Sequence, residues 1–386
     1  MKTDIGTIAE KNRIIGNIIG EIITKRSFLI TGHQNPDEDC IASMVAFALL
    51  VNKFSKKAVI CVDNDIHEHF QYLLDICRYN SIAVRKCAGN QSLEFDDVVV
   101  CDTPKPDMVV DNPNIRKLMK RPDKVVIEID HHLESDSDYI GDPGYQLVAE
   151  ASSAAELVGL IILKINDRPH IIREFQIEDL LSRNIVLSVL TGIIGDSKMG
   201  SFLKTRREKR FYRIFSSLFD ELLSTKTVKT TNFSNMEEVF NEIGRLSRKE
   251  AASFEYLMGI RDFTPHIGYV YLPRDKMKAL SEQFDRDTVV QVARSLADQL
   301  AEESGYISLV GYEESPDQSE FVQYRMRRSQ DFKDIDLRDI LSEFGISNGG
   351  GHEGAVGFRI PYDKAPEIKT FLQKVEKRFF PVSQKK

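Results

Sequence analysis

The stretch Phe28-Leu29-Ile30-Thr31-Gly32-His33-Gln34-Asn35-Pro36-Asp37-Glu38-Asp39-Cys40 reads as a buried strand, a polar loop and the start of a helix. Pro36 holds Asn35 extended and delays the helix, so Asp37 and Asp39 can turn toward the edge that carries His33. Two acids one residue apart can serve two different metals. The plainer alternative is that Asp37 or Asp39 only caps the helix that begins at Cys40.

Working outward, the same alternation of apolar strand and helix recurs. Thr7 to Lys25 carries Ile14, Ile15, Ile18, Ile19, Ile22 and Ile23 at helical spacing and predicts an amphipathic opening helix. Helix Cys40 to Phe54 is followed by strand Ala58 to Val62, helix Ile66 to Cys77 and strand Val98 to Cys101. A helix near Asn114 to Met119 and a strand Val125 to Ile129 follow. This pattern predicts an α/β fold with a mostly parallel, doubly wound sheet covered on both faces. Such sheets bind ligands at the carboxyl ends of their strands, where the strand order reverses. His33, Asp102 and Asp130 each stand at such an end, and a helix over Ser182 to Ile194 delivers Asp196.

Scattered histidines and carboxylates converging on one edge are the ligands hard divalent cations prefer. Asp102 reads either as a turn acid before Pro104 or as a carboxylate bridging two cations. Adjacent His131 and His132 after a buried strand would let one imidazole bind metal while the other faces substrate. His67, His69, His170 and His266 lack comparable partners and read as surface or packing residues.

At 386 residues, with 42% hydrophobic and 29% charged content, the chain is long enough for two domains. The expected boundaries are 1–203 for a metal-binding catalytic domain, 204–240 for a polar, basic linker region and 241–386 for a smaller α/β substrate-binding domain. In the last of these, strands Ile307 to Tyr312 and Glu320 to Arg328 form a hairpin around Ser315-Pro316-Asp317. Alternation places Arg325 and Arg327 on one face and Arg328 on the other. The run Asn348-Gly349-Gly350-Gly351-His352 offers unhindered backbone N–H groups to a phosphate, or is simply a glycine-rich entry to the next strand.

No apolar stretch reaches the roughly 20 residues of a bilayer crossing, and Glu10, Lys11, Arg13 and Glu21 interrupt the first one, unlike an export signal. Five cysteines without a CxxC pair argue against a disulfide framework or zinc finger and for a reducing cytoplasm. A net charge of -7 provides no field for a long polyanion. Small phosphorylated substrates fit better than duplex nucleic acid, and no membrane partner is expected. The basic run Lys204 to Arg210 reads as a solvated helix face.

The His33-x-Asn35-Pro36-Asp37-x-Asp39 segment, isolated Asp102, the Asp130-His131-His132 triplet, Asp196 and a later Gly349-Gly350-Gly351-His352 resemble the DHH phosphoesterase superfamily with its DHH-associated C-terminal domain. The resemblance spans about Phe28 to Ile360 and implies an active site in a cleft between two domains. It implies two divalent ions, manganese ahead of magnesium. His33 and Asp37 would hold one, Asp39, His131 and Asp196 the other, and Asp102 would bridge them. Asp130 would support His131, while His132 would contact phosphate or protonate the leaving oxygen. Arg328, Ser329, Gly349, Gly350, Gly351 and His352 would face substrate. After Asp196 the chain reads Ser197-Lys198-Met199-Gly200-Ser201-Phe202, two residues longer than the family's short turn.

The implied activity is hydrolysis of short nucleotides: very short RNA, 3'-phosphoadenosine 5'-phosphate, or cyclic di-AMP and its linear product. Similar proteins also imply a homodimer. A RecJ-like single-strand exonuclease would need a basic, aromatic-bearing channel, which the sequence does not show. A non-catalytic nucleotide sensor would have lost ligands, whereas all six positions are filled. The pyrophosphatase branch carries a different C-terminal domain.

Overall fold

Apolar runs of the first unit become the strands of one parallel sheet: β1 (Ser27–Thr31), β2 (Lys57–Val62), β3 (Ala83–Lys86), β4 (Asp97–Cys101), β5 (Val126–Asp130) and β6 (Gln146–Val148). This computed structural model describes residues 1–63, 66–86, 94–133, 136–224, 233, 235–244, 246–314 and 319–380. The strand order is β3-β2-β1-β4-β5-β6, and every neighbouring pair is parallel. The chain therefore winds outward from β1 in one direction and from β4 in the other. Their adjacent carboxyl ends form the switch point at which such sheets open a crevice.

Successive strand residues alternate between two cores, as a sheet covered on both faces requires. Phe28, Ile30, Ile60, Val99, Ile127 and Ile129 face one layer. That layer contains α1 (Ile8–Thr24), α2 (Glu38–Lys53), α5 (Ala154–Asn166) and α7 (Arg183–Asp196). Leu29, Val59, Val98, Val100 and Val126 face the other, where α4 (Pro113–Met119) contributes Ile115 and Leu118. Helix α3 (Gln71–Tyr79) makes the crossover from β2 to β3, and α6 (Pro169–Glu174) follows α5 beyond the last strand. Burial of α2 is nearly continuous from Asp39 to Val51, because α5 and α7 enclose it against the sheet.

One expectation is corrected here. The segment expected as a linker holds α8 (Arg206–Ser224) and α9 (Met236–Ile243), and the chain divides instead into Met1–Arg245 and Leu246–Lys386. Phe211, Phe215 and Phe219 recur at four-residue spacing, so α8 buries one stripe in the first core while Arg206, Lys209, Arg210 and Arg213 stay exposed. Phe215 packs so tightly that a Cβ on Gly159 of α5 would lie 2.8 Å from its ring. Cys61 is disulfide-bonded, whereas Cys40, Cys77 and Cys101 are free and buried.

The second unit begins with α10 (Arg248–Gly259) and builds a mixed sheet from β7 (Asp262–Phe263), β8 (Ile267–Leu272), β9 (Ile307–Glu313), β10 (Phe321–Arg328), β11 (Gly349–His352) and β12 (Ala355–Pro361). Its order is β11-β12-β10-β9-β8-β7, with β8 and β9 parallel and the other pairs antiparallel. The parallel pair needs a crossover, supplied by α11 (Arg274–Phe284) and α12 (Arg286–Ser304). On the opposite face lie α13 (Leu337–Glu343) and α14 (Ile368–Phe379). The hairpin of β9 and β10 matches the expected one, and its turn at Ser315-Pro316-Asp317 lies outside the described residues. No helix among the described residues is long and apolar enough to cross a membrane.

Because Phe215 is fully buried, Phe215→Ala should cost about 3–5 kcal/mol of stability. Chemical denaturation measures this; a loss under about 1 kcal/mol would mean that α8 is not part of the first core.

Candidate metal centre

His33 leaves the end of β1 on a backbone pinned from both sides. Gln34 N–H donates to the Met108 carbonyl (2.8 Å) and Val110 N–H to that of Gly32 (3.1 Å). His33 Nδ1 lies 2.7 Å from the Gln34 carbonyl oxygen, which turns Nε2 toward Asp37 Oδ1 at 3.6 Å and Asp102 Oδ2 at 3.7 Å. Asp37 also accepts from Cys40 N–H (3.3 Å) as the cap of α2. The capping and site readings of this residue therefore both hold. Gly32 is required because a Cβ there would stand 2.2 Å from Cys40 Sγ.

Asp39, the second residue of α2, is almost fully buried. Its oxygens accept from the free N–H groups of Ala154 (2.5 Å) and Ala155 (2.9 Å) at the start of α5. A helix N-terminus favours an anion there. Gly192 of α7 makes the space, since a Cβ would lie 2.4 Å from Asp39 Oδ1. The sequence reading missed Ala154, Ala155 and Gly192; the Ser152-Ser153-Ala154-Ala155-Glu156 capping pattern was the available signal.

Asp102 follows β4 with φ of +48°, a left-handed conformation that costs a non-glycine residue about 1 kcal/mol or more. Its N–H donates to the Ile129 carbonyl at 2.9 Å, which fixes the turn beside β5. Asp102 Oδ1 comes within 3.4 Å of His131 Nε2 and 3.5 Å of His132 Nδ1. His131 Nε2 lies 3.7 Å from Asp39 Oδ2 and 3.4 Å from Asp196 Oδ2. Asp130 Oδ1 is 2.8 Å from His132 Nδ1. Asp130 thus orients His132 rather than contacting the ring of His131. Asp196 is the last residue of α7, so the longer turn starts beyond it. That turn is closed by Met199 N–H to the Ile194 carbonyl (3.0 Å) and Phe202 N–H to that of Ser197 (3.0 Å).

The centre holds more negative charge than its own groups can balance. Burial, then Asp102 and Asp196, pushes the Asp39 carboxyl well above the usual carboxylate range. Burial chiefly pushes Asp196 up to about 7. Burial lowers the imidazole pKa values, but Asp102, Asp196 and Asp39 hold His131 well above its ordinary value, and Asp130 raises His132 to about 9. Asp102 Oδ1 is buried without a hydrogen-bond partner. Three groupings, His33–Cys40–Asp102, Asp102–His131–His132 and Asp39–His131–Asp196, each bring ligand atoms within 4.8 Å of one another. An orphaned carboxylate oxygen amid oxygen and imidazole donors fits divalent cations. Cys40 is a poor ligand, since burial pushes its thiol up to about 11.

In the second unit Arg328 and Ser329 are buried. Arg328 Nη1 donates to the Ile335 carbonyl (2.6 Å), its Nη2 lies 3.4 Å from Glu353 Oε1, and Ser329 Oγ donates to Glu302 Oε2 (3.0 Å). Arg325 and Arg327 occupy the other, half-buried face of β10, as alternation required. Gly349 and Gly351 form edge strand β11, where a Cβ would lie 2.3 Å from Phe358 Cβ and 2.2 Å from the Ala355 oxygen respectively. Close strand packing therefore accounts for both glycines. Gly350 pairs with Gly357, and the His352 side chain lies outside the described residues.

Groups easier to protonate in the folded chain than in the unfolded one make folding take up protons, so stability falls as pH rises between the two pKa values. Asp196 covers the window from ordinary carboxylate values to about 7, and His132 covers that from 6.5 to about 9. Without metal, the melting temperature should fall between about pH 6 and about pH 9, and the rise on adding Mn²⁺ should grow over that range. Thermal melts with and without chelator check this; a Mn²⁺ effect independent of pH would contradict it.

Residues 27–193 match the model of the DHH family N-terminal domain, and residues 276–379 match that of the DHHA1 domain. Probable manganese-dependent inorganic pyrophosphatases of Lactobacillus gasseri and Lactobacillus johnsonii are each 32% identical over 104 residues, 27% of this chain. The chain spans 30% of the length of these relatives. An exopolyphosphatase-related protein from Bacteroides fragilis is 14% identical with a TM-score of 0.60, covering 95% of both chains, and so shares the fold. With both domain models matched in order, this chain belongs to the DHH phosphoesterase superfamily and carries a C-terminal DHHA1 domain.

Proposed function

We propose that the chain is a cytoplasmic hydrolase of phosphodiester or phosphomonoester bonds in short nucleotides, using two divalent ions, with manganese preferred over magnesium. The observation that carries this reading is the buried Asp102 Oδ1, without a hydrogen bond and facing His131 and His132, with Oδ2 turned to His33. His33 and Asp37 would hold one ion, Asp39, His131 and Asp196 the other, with Asp102 shared. Bound cations of this kind lower the pKa of a water and neutralise charge developing on phosphorus.

The remaining work falls to side chains. Asp130 fixes His132 through Nδ1, which leaves Nε2 to hold a proton near the leaving oxygen. The α5 N-terminus keeps Asp39 in place. In the second unit, Ser329, the Gly349–Gly351 backbone and His352 would grip substrate. Arg328 would reach substrate only by leaving the Ile335 carbonyl. Supporting nucleotide over inorganic pyrophosphate is the DHHA1 domain with its glycine strand, since the likeness to pyrophosphatases covers 27% of the chain.

The test is product analysis with Mn²⁺ on cyclic di-AMP, its linear dinucleotide, 3'-phosphoadenosine 5'-phosphate, a short RNA, long single-stranded DNA and pyrophosphate. Mononucleotide release from the short substrates is expected. Faster digestion of the long strand, exclusive cleavage of pyrophosphate, or tight binding without turnover would overturn the reading. Asp102→Ala should lower kcat by about 100-fold or more; near-normal Mn²⁺-dependent turnover would contradict the shared role of Asp102.

A further inference from the structure

Lys2 is a lysine with no solvent exposure, although exposed Met1 immediately precedes it. Full burial of lysine is rare unless every donor is matched. Its Nζ donates to Asp130 Oδ2 (2.6 Å) and to the Thr103 carbonyl (2.6 Å), and it forms an ion pair with Glu128 Oε1 at 2.8 Å. The backbone around it is fastened as well. Lys2 N–H donates to Ser137 Oγ (3.1 Å), Thr3 N–H to the Tyr139 hydroxyl (3.1 Å), and Glu150 N–H to Asp4 Oδ1 (2.9 Å).

These partners belong to the two strand ends that make the centre. Thr103 directly follows Asp102 after β4; Glu128 and Asp130 project from one face of β5, just before His131 and His132. Asp130 therefore has one oxygen on Lys2 and the other on His132 Nδ1. A carboxylate held at only one oxygen could swing and release the ring. With Lys2 on the second oxygen, the rotamer of Asp130 is fixed, and with it the direction of His132 Nε2.

We propose that Lys2 is a positioning residue for the phosphoesterase centre, a brace from the amino-terminal segment that ties Thr103 to Asp130 and through Asp130 sets the orientation of His132. Its kinetic consequence rests on the function proposed above; its structural consequence does not. The brace supplies no ligand and touches no substrate. It spans 128 residues of sequence between Lys2 and Asp130.

Lys2→Met alone would leave Glu128 and Asp130 as unmatched buried acids, so Lys2→Met/Glu128→Gln is the main test variant, its folding checked by thermal melts. Expected are a kcat lower by about 10- to 100-fold, a KM within about threefold, and loss of the hydrogen-bonded Nδ1–H signal of His132 in long-range ¹H–¹⁵N imidazole spectra. Wild-type kcat with an unchanged His132 signal would overturn the proposal and leave Lys2 as a charge balancer. If wild-type protein hydrolyses none of the substrates, the proposed function fails while the imidazole spectrum still decides the role of Lys2. If both variants unfold, Ser137→Ala, which loosens the segment without exposing a buried charge, should still disturb the His132 signal; an unchanged signal would overturn the brace.

Discussion

Mutual repulsion among Asp39, Asp102 and Asp196 is the constraint around which the first unit is arranged. These carboxylates meet in a buried crevice with imidazoles as the facing cationic groups. Left alone, buried acids take up protons and the site becomes neutral. Divalent cations would remove the conflict by matching the charge, and Asp102 Oδ1, which lacks a hydrogen bond, would be free to ligate them. The dipole at the start of α5 relieves part of the strain on Asp39.

The sheet topology explains why these groups can meet at all. Outward winding from β1 and β4 brings His33 and Asp102 to adjacent strand ends, and β5 adds Asp130, His131 and His132 in the next lane. Asp39 and Asp196 come from the facing ends of α2 and α7, which Gly192 and Gly195 allow to approach; a Cβ on Gly195 would lie 2.4 Å from Glu38 Cγ. Packing and site geometry are thus set by the same small residues.

Much of this was legible in sequence, because β1, β4 and β5 are continuous apolar runs and each is followed directly by its polar residue. The weaker strands were not: β3 is Ala-Val-Arg-Lys and β6 only three residues long. Helix α8 was obscured because Lys204 to Arg210 drew attention from the Phe211, Phe215 and Phe219 stripe. Lys2 could not be found by pattern, since its partners lie 101 to 135 residues away. Alternation along β10 gave the faces of Arg325, Arg327 and Arg328 correctly, but not the capture of Arg328 by Ile335 and Glu353.

The most direct measurement is anomalous scattering from crystals grown with Mn²⁺. Two peaks should appear about 3.5–4 Å apart, on either side of the Asp102 carboxylate, one beside His33 and Asp37 and one beside Asp39, His131 and Asp196. Fully active crystals showing no manganese between these side chains, or ions bound elsewhere, would contradict the assignment of this crevice as the metal centre.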